Sequence, residues 1–267
     1  MRKPKVCVLR TAGTNCDRET AAAFTMAGAE VSLLHINSLV SAKADVSDYH
    51  ILALPGGFSY GDDVASGKIF ANELRFKLAD QLREFIRQGK LIIGICNGFQ
   101  ILVKSGFLPG NQQLKQETSL IINDSGKFEA RWVYLEGGKS RCVWTKGINK
   151  IIYLPVAHGE GKFIVQDKQV LNRLKKNGQI VFQYCDAEGK PAGYPHNPNG
   201  AVENIAGICD VTGRIFGLMP HPERHVFRVQ HPRFWQLNLK HAGSSCANSG
   251  DGLQIFRNGV RYVQDNL

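Results

Sequence analysis

The stretch Leu91-Ile92-Ile93-Gly94-Ile95-Cys96-Asn97-Gly98-Phe99-Gln100-Ile101-Leu102-Val103-Lys104 decides how this chain folds. Leu91 to Ile95 is strand-like, and Asn97 to Lys104 can be helical, with Gly106 placed to end the helix. Cys96 therefore falls at a strand-to-helix junction. The small residues two positions to either side, Gly94 and Gly98, let strand and helix pass close together, and the turn between them exposes the sulfur. The start of a helix offers free N–H groups and a positive dipole end, both of which favour a thiolate. Taken alone, Gly-x-Cys-x-Gly is read as plainly as a buried cysteine among packing glycines.

Upstream, strand-like and helix-like patterns alternate, the signature of βαβ units and a largely parallel sheet. Val6 to Leu9 and Val31 to Ile36 read as strands. Asp17 to Ala27 between them reads as a helix with Thr20, Ala23, Phe24 and Ala27 on one face and Gly28 as terminator. Ile51 to Leu54 is a buried-strand pattern that stops at Pro55-Gly56-Gly57. Leu74, Leu78, Leu82, Phe85 and Ile86 then form the apolar stripe of one long helical stretch closed by Gly89.

Downstream the pattern turns β-rich. Ser119–Ile122, Arg131–Leu135, Ile151–Leu154, Ile180–Gln183 and Ile205–Cys209 are strand-like, and a hairpin at Thr212-Gly213 leads into Ile215–Leu218. Leu253 to Val263 has helical spacing. Ala242 to Gly252, rich in Gly, Ser and Asn, reads as a mobile surface loop. The expected architecture is α/β: a flavodoxin-like open, largely parallel sheet flanked by helices, with an added β-rich portion, in one domain spanning residues 1–267.

A nucleophile needs a base and an oxyanion site. His221-Pro222-Glu223 follows the Ile215–Leu218 strand, and in an extended segment residues two apart point to the same side. The Glu223 carboxylate can then fix the tautomer of the His221 imidazole. An ordinary loop with an exposed histidine is the plain alternative, and His231-Pro232 shows how easily such a pair arises without an acid two residues on. Pro55-Gly56-Gly57 can aim main-chain N–H groups at a developing oxyanion together with the N–H of Asn97, or can be a simple tight turn. Asp62 and Asp63 form one acidic pair without a third ligand, so no metal site is expected. Each of the three segments ends a predicted strand, the edge at which open α/β sheets bind ligands.

Composition sets the class. Of 267 residues, 43% are hydrophobic and 21% charged, as in ordinary folded chains. No apolar run reaches the roughly 18 to 20 residues of a membrane span, and the N-terminus lacks a signal-peptide pattern, so no membrane association is expected. Seven scattered cysteines without a C-x-x-C pair argue against a disulfide framework or zinc site and fit a reducing cytoplasm. The net charge of +10 is spread among acidic residues, which favours a solvated or partner-facing surface over nucleic acid.

Gly94 to Gln100 with the late His221-x-Glu223 resembles the class I, triad-type glutamine amidotransferases, whose pattern is G-x-C-x-G-x-Q followed by H-x-E. Gly13 to Asp17, Pro55 to Asp63, Gly94 to Gln100, Asn123 to Trp132, Pro155 to Gly161, Tyr194 to Gly200 and Met219 to Arg224 together resemble glutaminase subunits of phosphoribosylformylglycinamidine synthase, and Ala157 to Gly161 and Asn197 to Gly200 are what narrow the resemblance to them. It runs from about Val6 to Val263, without departure at the catalytic positions. The 242–252 loop matches nothing in the pattern.

The resemblance implies that Cys96 attacks the glutamine side-chain amide, with His221 as base and Glu223 as its orienter. It further implies that Gly57 and Asn97 N–H groups form the oxyanion hole. Gly56, Gln100, Asn123 and Arg131 are the implied substrate contacts, Arg131 as a candidate for the α-carboxylate; each is equally readable as a structural or interface residue. His158, Glu160, His196, Asn197 and Asn199 are expected to face a partner or order loops. The implied partners are an ATP-dependent formylglycinamidine ribonucleotide synthetase subunit, carrying ATP and Mg, and a small accessory subunit. This chain has no Walker-type phosphate loop and no implied cofactor of its own. The rival readings are a glutaminase of another pathway, a cysteine-elbow hydrolase, and a non-catalytic regulatory or redox subunit on the same fold.

Overall fold

The computed structural model describes residues 3–110, 113–236 and 249–267. A nine-stranded sheet organises them, in the order β2-β1-β3-β4-β11-β10-β9-β6-β7. Its first half is built from β1 (Lys5–Arg10), β2 (Glu30–His35), β3 (Ile51–Leu54), β4 (Leu91–Ile95) and β11 (Ile215–Leu218), all paired in parallel. The runs ILAL and LIIGI are buried at every position, as a strand covered on both faces must be. The other half is antiparallel: β10 (Ile205–Cys209), β9 (Ile180–Cys185), β6 (Glu129–Gly137) and β7 (Ile152–His158). The β-rich portion thus extends the same sheet. A separate ribbon pairs β5 (Thr118–Ile121) with β8 (Lys162–Val165).

Helix α1 (Asp17–Met26) buries Thr20, Ala23 and Phe24, and the Phe24 ring meets Phe256 of the last helix, Leu253–Asn266, edge-on at 4.9 Å. The short α2 (Ile36–Val40) follows β2 directly. The stretch expected as one helix from Leu74 to Ile86 is two, α3 (Lys68–Lys77) and α4 (Ala79–Arg87), broken at Leu78 where φ is −125°. Steps of four residues drift by about 40° each on an ideal helix. An unbroken helix would therefore turn Leu74 and Leu82 roughly 80° apart; the break lets Leu74, Leu78 and Leu82 all stay buried.

Helix α5 (Asn97–Lys104) is buried along its whole length, between α3 and the sheet on one side and the β5–β8 ribbon on another. Phe99 of α5 stacks on Phe163 of β8 at 6.2 Å. Strand β8 and helix α6 (Lys168–Lys176), the latter marked in the sequence only by its basic cluster Arg173, Lys175 and Lys176, were not anticipated. The last helix is α7 (Leu253–Asn266), and most of the 242–252 loop lies outside the described residues. Among the described residues no helix is long and apolar enough to cross a membrane.

Candidate active site

Strands β3, β4 and β11 are parallel neighbours, so the segments that follow them emerge side by side at one edge of the sheet. Pro55-Gly56-Gly57 follows β3, Cys96 follows β4, and His221 comes three residues after β11. The Cys96 N–H bonds the Leu218 carbonyl at 2.8 Å, which locks the elbow to the histidine-bearing strand.

Cys96 has φ 50° and ψ −103°, a left-handed conformation rare for a residue with a side chain, and it caps the start of α5. The turn is enforced by Gly98, whose Cα packs against β3: a Cβ there would lie 1.9 Å from the Leu54 carbonyl oxygen. Cys96 is 5% exposed, and its thiol donates to the Ala157 carbonyl at 3.7 Å.

His221 and Glu223 are both buried, and His221 Nδ1 lies 2.6 Å from Glu223 Oε1. The carboxylate accepts from Nδ1–H, so Nε2, buried and without a partner, is free to take a proton. Burial pushes the imidazole down, but the Glu223 and Cys96 charges and contacts with Cys96 and Cys16 outweigh it and hold His221 well above its ordinary value. The structure thus brings Cys96, His221 and Glu223 together.

Gly57, at φ 146°, faces the Gly13–Asn15 loop so closely that a Cβ would meet Asn15 N at 2.7 Å. No hydrogen bond among the described residues engages the N–H of Gly57 or of Asn97. Gly56 lies against the His221 ring. The Asn97 side chain ties the two segments together: its Oδ1 accepts from Ser59 N at 3.2 Å, and its Nδ2 donates to Gln100 Oε1 at 2.9 Å and Asp62 Oδ1 at 3.3 Å.

The proposed substrate contacts are placed differently. Gln100 donates to the Glu160 carbonyl, so both ends of its amide are engaged by protein groups. Asn123 donates to the Lys127 and His158 carbonyls, and its oxygen accepts from Gly161 N and faces His158 Nδ1. Arg131 is paired with Glu129 and donates to the Tyr194 hydroxyl at 2.8 Å. Asn197 and Asn199 order their own turn, both accepting from Ala201 N.

Two further residues, His158 and Cys16, lie beside Cys96, His221 and Glu223. His158 stands opposite Glu129 across the β6–β7 pair, and burial, then the charge of His221, push it down to about 4. Cys16, at the start of α1, approaches His221 Nδ1 to 3.9 Å. The donors of Cys16, His221 and Glu223 lie within 4.8 Å of one another, but the Nδ1 is taken by Glu223 and Arg224 donates to the Cys16 sulfur at 3.0 Å.

Residues 3–263 match the family described as the CobB/CobQ-like glutamine amidotransferase domain. The chain belongs to that family. It is 49% identical to a protein of Methanococcus maripaludis named phosphoribosylformylglycinamidine synthase subunit PurQ, with 97% of each chain covered. A protein of the same name from Dehalococcoides mccartyi is 48% identical, with 99% of each covered. A chain in the solved structure of PurLQS from Thermotoga maritima superposes with a TM-score of 0.73 at 31% identity, covering 98% of this chain and all of that one. An amidotransferase of this family must release ammonia from an amide, and a cysteine elbow beside a histidine–carboxylate pair has the parts for that chemistry.

Proposed function

We propose that this chain is the glutaminase of a phosphoribosylformylglycinamidine synthase, working as one domain. The carrying observation is the Cys96 elbow with the His221–Glu223 pair, in a chain nearly half identical over its length to PurQ subunits. His221 takes the thiol proton as Cys96 attacks the glutamine amide carbon, and the oxyanion is held by the N–H groups of Gly57 and Asn97. His221 then protonates the departing nitrogen. Ammonia leaves, a glutamyl thioester remains, and water activated by His221 hydrolyses it to glutamate. Glu223 keeps the imidazole in one tautomer throughout and stabilises its charged form.

The ammonia goes to an ATP-dependent synthetase subunit that converts formylglycinamide ribonucleotide to formylglycinamidine ribonucleotide in purine synthesis. ATP and Mg belong to that subunit, and a small third subunit completes the assembly. Its setting is the cytoplasm. The PurLQS likeness supports such an assembly. The test is the reconstituted complex with Cys96→Ala: glutamine-dependent product formation is lost while ammonia-dependent formation continues. Retention of glutamine-driven synthesis removes Cys96 as nucleophile.

A further inference from the structure

Behind the triad, on the side of His221 away from Nε2, Cys16 sits at the start of α1 with 1% of its surface exposed. Its N–H bonds the Gly56 carbonyl at 3.1 Å, which fixes the sulfur relative to the β3 turn. The sulfur donates to Asn15 Oδ1 at 3.1 Å and accepts from Arg224 Nη2 at 3.0 Å. Arg224 follows Glu223 directly in the chain. Glu223 uses one oxygen on His221; the other, Oε2, is buried with no hydrogen-bond partner. A guanidinium and a carboxylate form a strong two-pronged pair whenever they can reach each other. Here the arginine next in sequence is turned to a thiol instead.

We propose that Cys16 is a positioning residue of the triad: its sulfur holds the Arg224 guanidinium off the unpaired oxygen of Glu223, so that the whole carboxylate serves His221. This rests on the reading of Cys96, His221 and Glu223 as the triad. The charged and titratable groups facing His221 are Glu223, Cys96, Cys16 and His158; those facing Arg224 are Cys16, Glu223 and Glu19. Of the acceptors around Arg224, Glu223 is buried and Glu19 lies on the exposed side of α1. Oε2 is a buried acceptor left without a donor, and a guanidinium turned onto it once the sulfur is gone cancels the charge that holds His221 above its ordinary value.

The experiment measures glutamine-dependent kcat/KM against pH in the reconstituted complex, with ammonia-dependent turnover as control. For Cys16→Ala the alkaline limb, where His221 loses the proton it gives to ammonia, moves down by about one pH unit or more, and kcat falls more than KM rises. Adding Arg224→Gln to Cys16→Ala returns the limb to its original position, a rescue that a packing defect does not show. Arg224→Gln alone and Cys16→Ser, whose hydroxyl can still accept from Arg224, keep the original limb, and they carry the test if Cys16→Ala does not fold. A wild-type profile in Cys16→Ala, a shifted limb in Arg224→Gln alone, or no rescue in the double variant overturns the proposal. Cys96→Ala separates the readings: if it remains active with glutamine, the triad itself is wrong, whereas its inactivity with an unshifted Cys16→Ala removes only the role of Cys16.

Discussion

Glu223 Oε1 stands 2.6 Å from His221 Nδ1 in a site where neither side chain is more than 2% exposed. In such a place a carboxylate cannot be replaced by water. Glu223→Gln keeps the shape but removes the charge and permits the wrong tautomer, so glutamine-dependent kcat/KM falls about 10²- to 10⁴-fold. Because Glu223 helps hold His221 above its ordinary value, the alkaline limb of the profile also moves to lower pH. Ammonia-dependent synthesis stays unchanged. An unaltered glutamine rate would show that the pair does not act in catalysis.

Cys96 holds φ 50° and ψ −103° because Gly98 packs on Leu54 and the strand–helix connection leaves no other path. Backbone strain of this kind costs of order 1–3 kcal/mol for a residue with a Cβ. Cys96→Gly is therefore more stable than Cys96→Ala by about 1 kcal/mol, after glycine's larger unfolded-state entropy is deducted. Urea unfolding of both inactive variants reads the difference. Equal midpoints would show that the elbow is unstrained.

What was legible in the sequence is what local pattern carries. β3, β4, α5, β10 and β11 stand where the apolar runs put them, and Cys96 directly follows β4, whereas His221 and Glu223 lie three and five residues past β11, with Pro222–Arg224 in a turn of 3-10 helix instead of the extended segment expected. The break at Leu78 was hidden because the stripe of leucines looks the same whether one helix or two bury it. Strand β8 is only four residues long, and α6 fully buries only Val170 and Leu174, too faint a period beside its lysines. The insertion of β9 between β10 and β6 depends on pairing across distant segments, which no local pattern encodes. The nearness of Cys16 and His158 to His221 is hidden in the sequence for the same reason. One reaches the site through the packing of α1 on the 221–225 turn, the other through its pairing with Glu129.

His158 gives the fold a pH dependence of its own. Its folded-state value, about 4, lies below the ordinary 6.5, so the unfolded chain binds the extra proton first and stability falls as pH drops from about 6.5 to about 4. A shift of that size corresponds to up to about 3 kcal/mol. His158→Phe, which fills the space and cannot titrate, shows a flatter decline over that window, read as the difference between the two proteins in urea unfolding at pH 7, 5.5 and 4.5. Parallel curves would mean that the imidazole is protonated in the folded state without cost.

The Asn97 side chain joins the elbow to the turn after β3 through Ser59 N and Asp62, while its backbone N–H is the proposed oxyanion donor. Asn97→Ala keeps that N–H and removes only the brace, so it separates position from presence. Outright loss of an oxyanion donor costs about 3 kcal/mol in the barrier. A donor that is present but displaced costs less, and about 10- to 10²-fold in kcat is expected, with KM for glutamine little changed. Thermal stability falls modestly, since Ser59 N loses its acceptor in a buried place. If kcat were unchanged while the protein melted earlier, the brace would serve the fold alone, and the spacing of Gly57 and Asn97 would have to be set by the Gly13–Asn15 loop that clasps Gly57 from the other side.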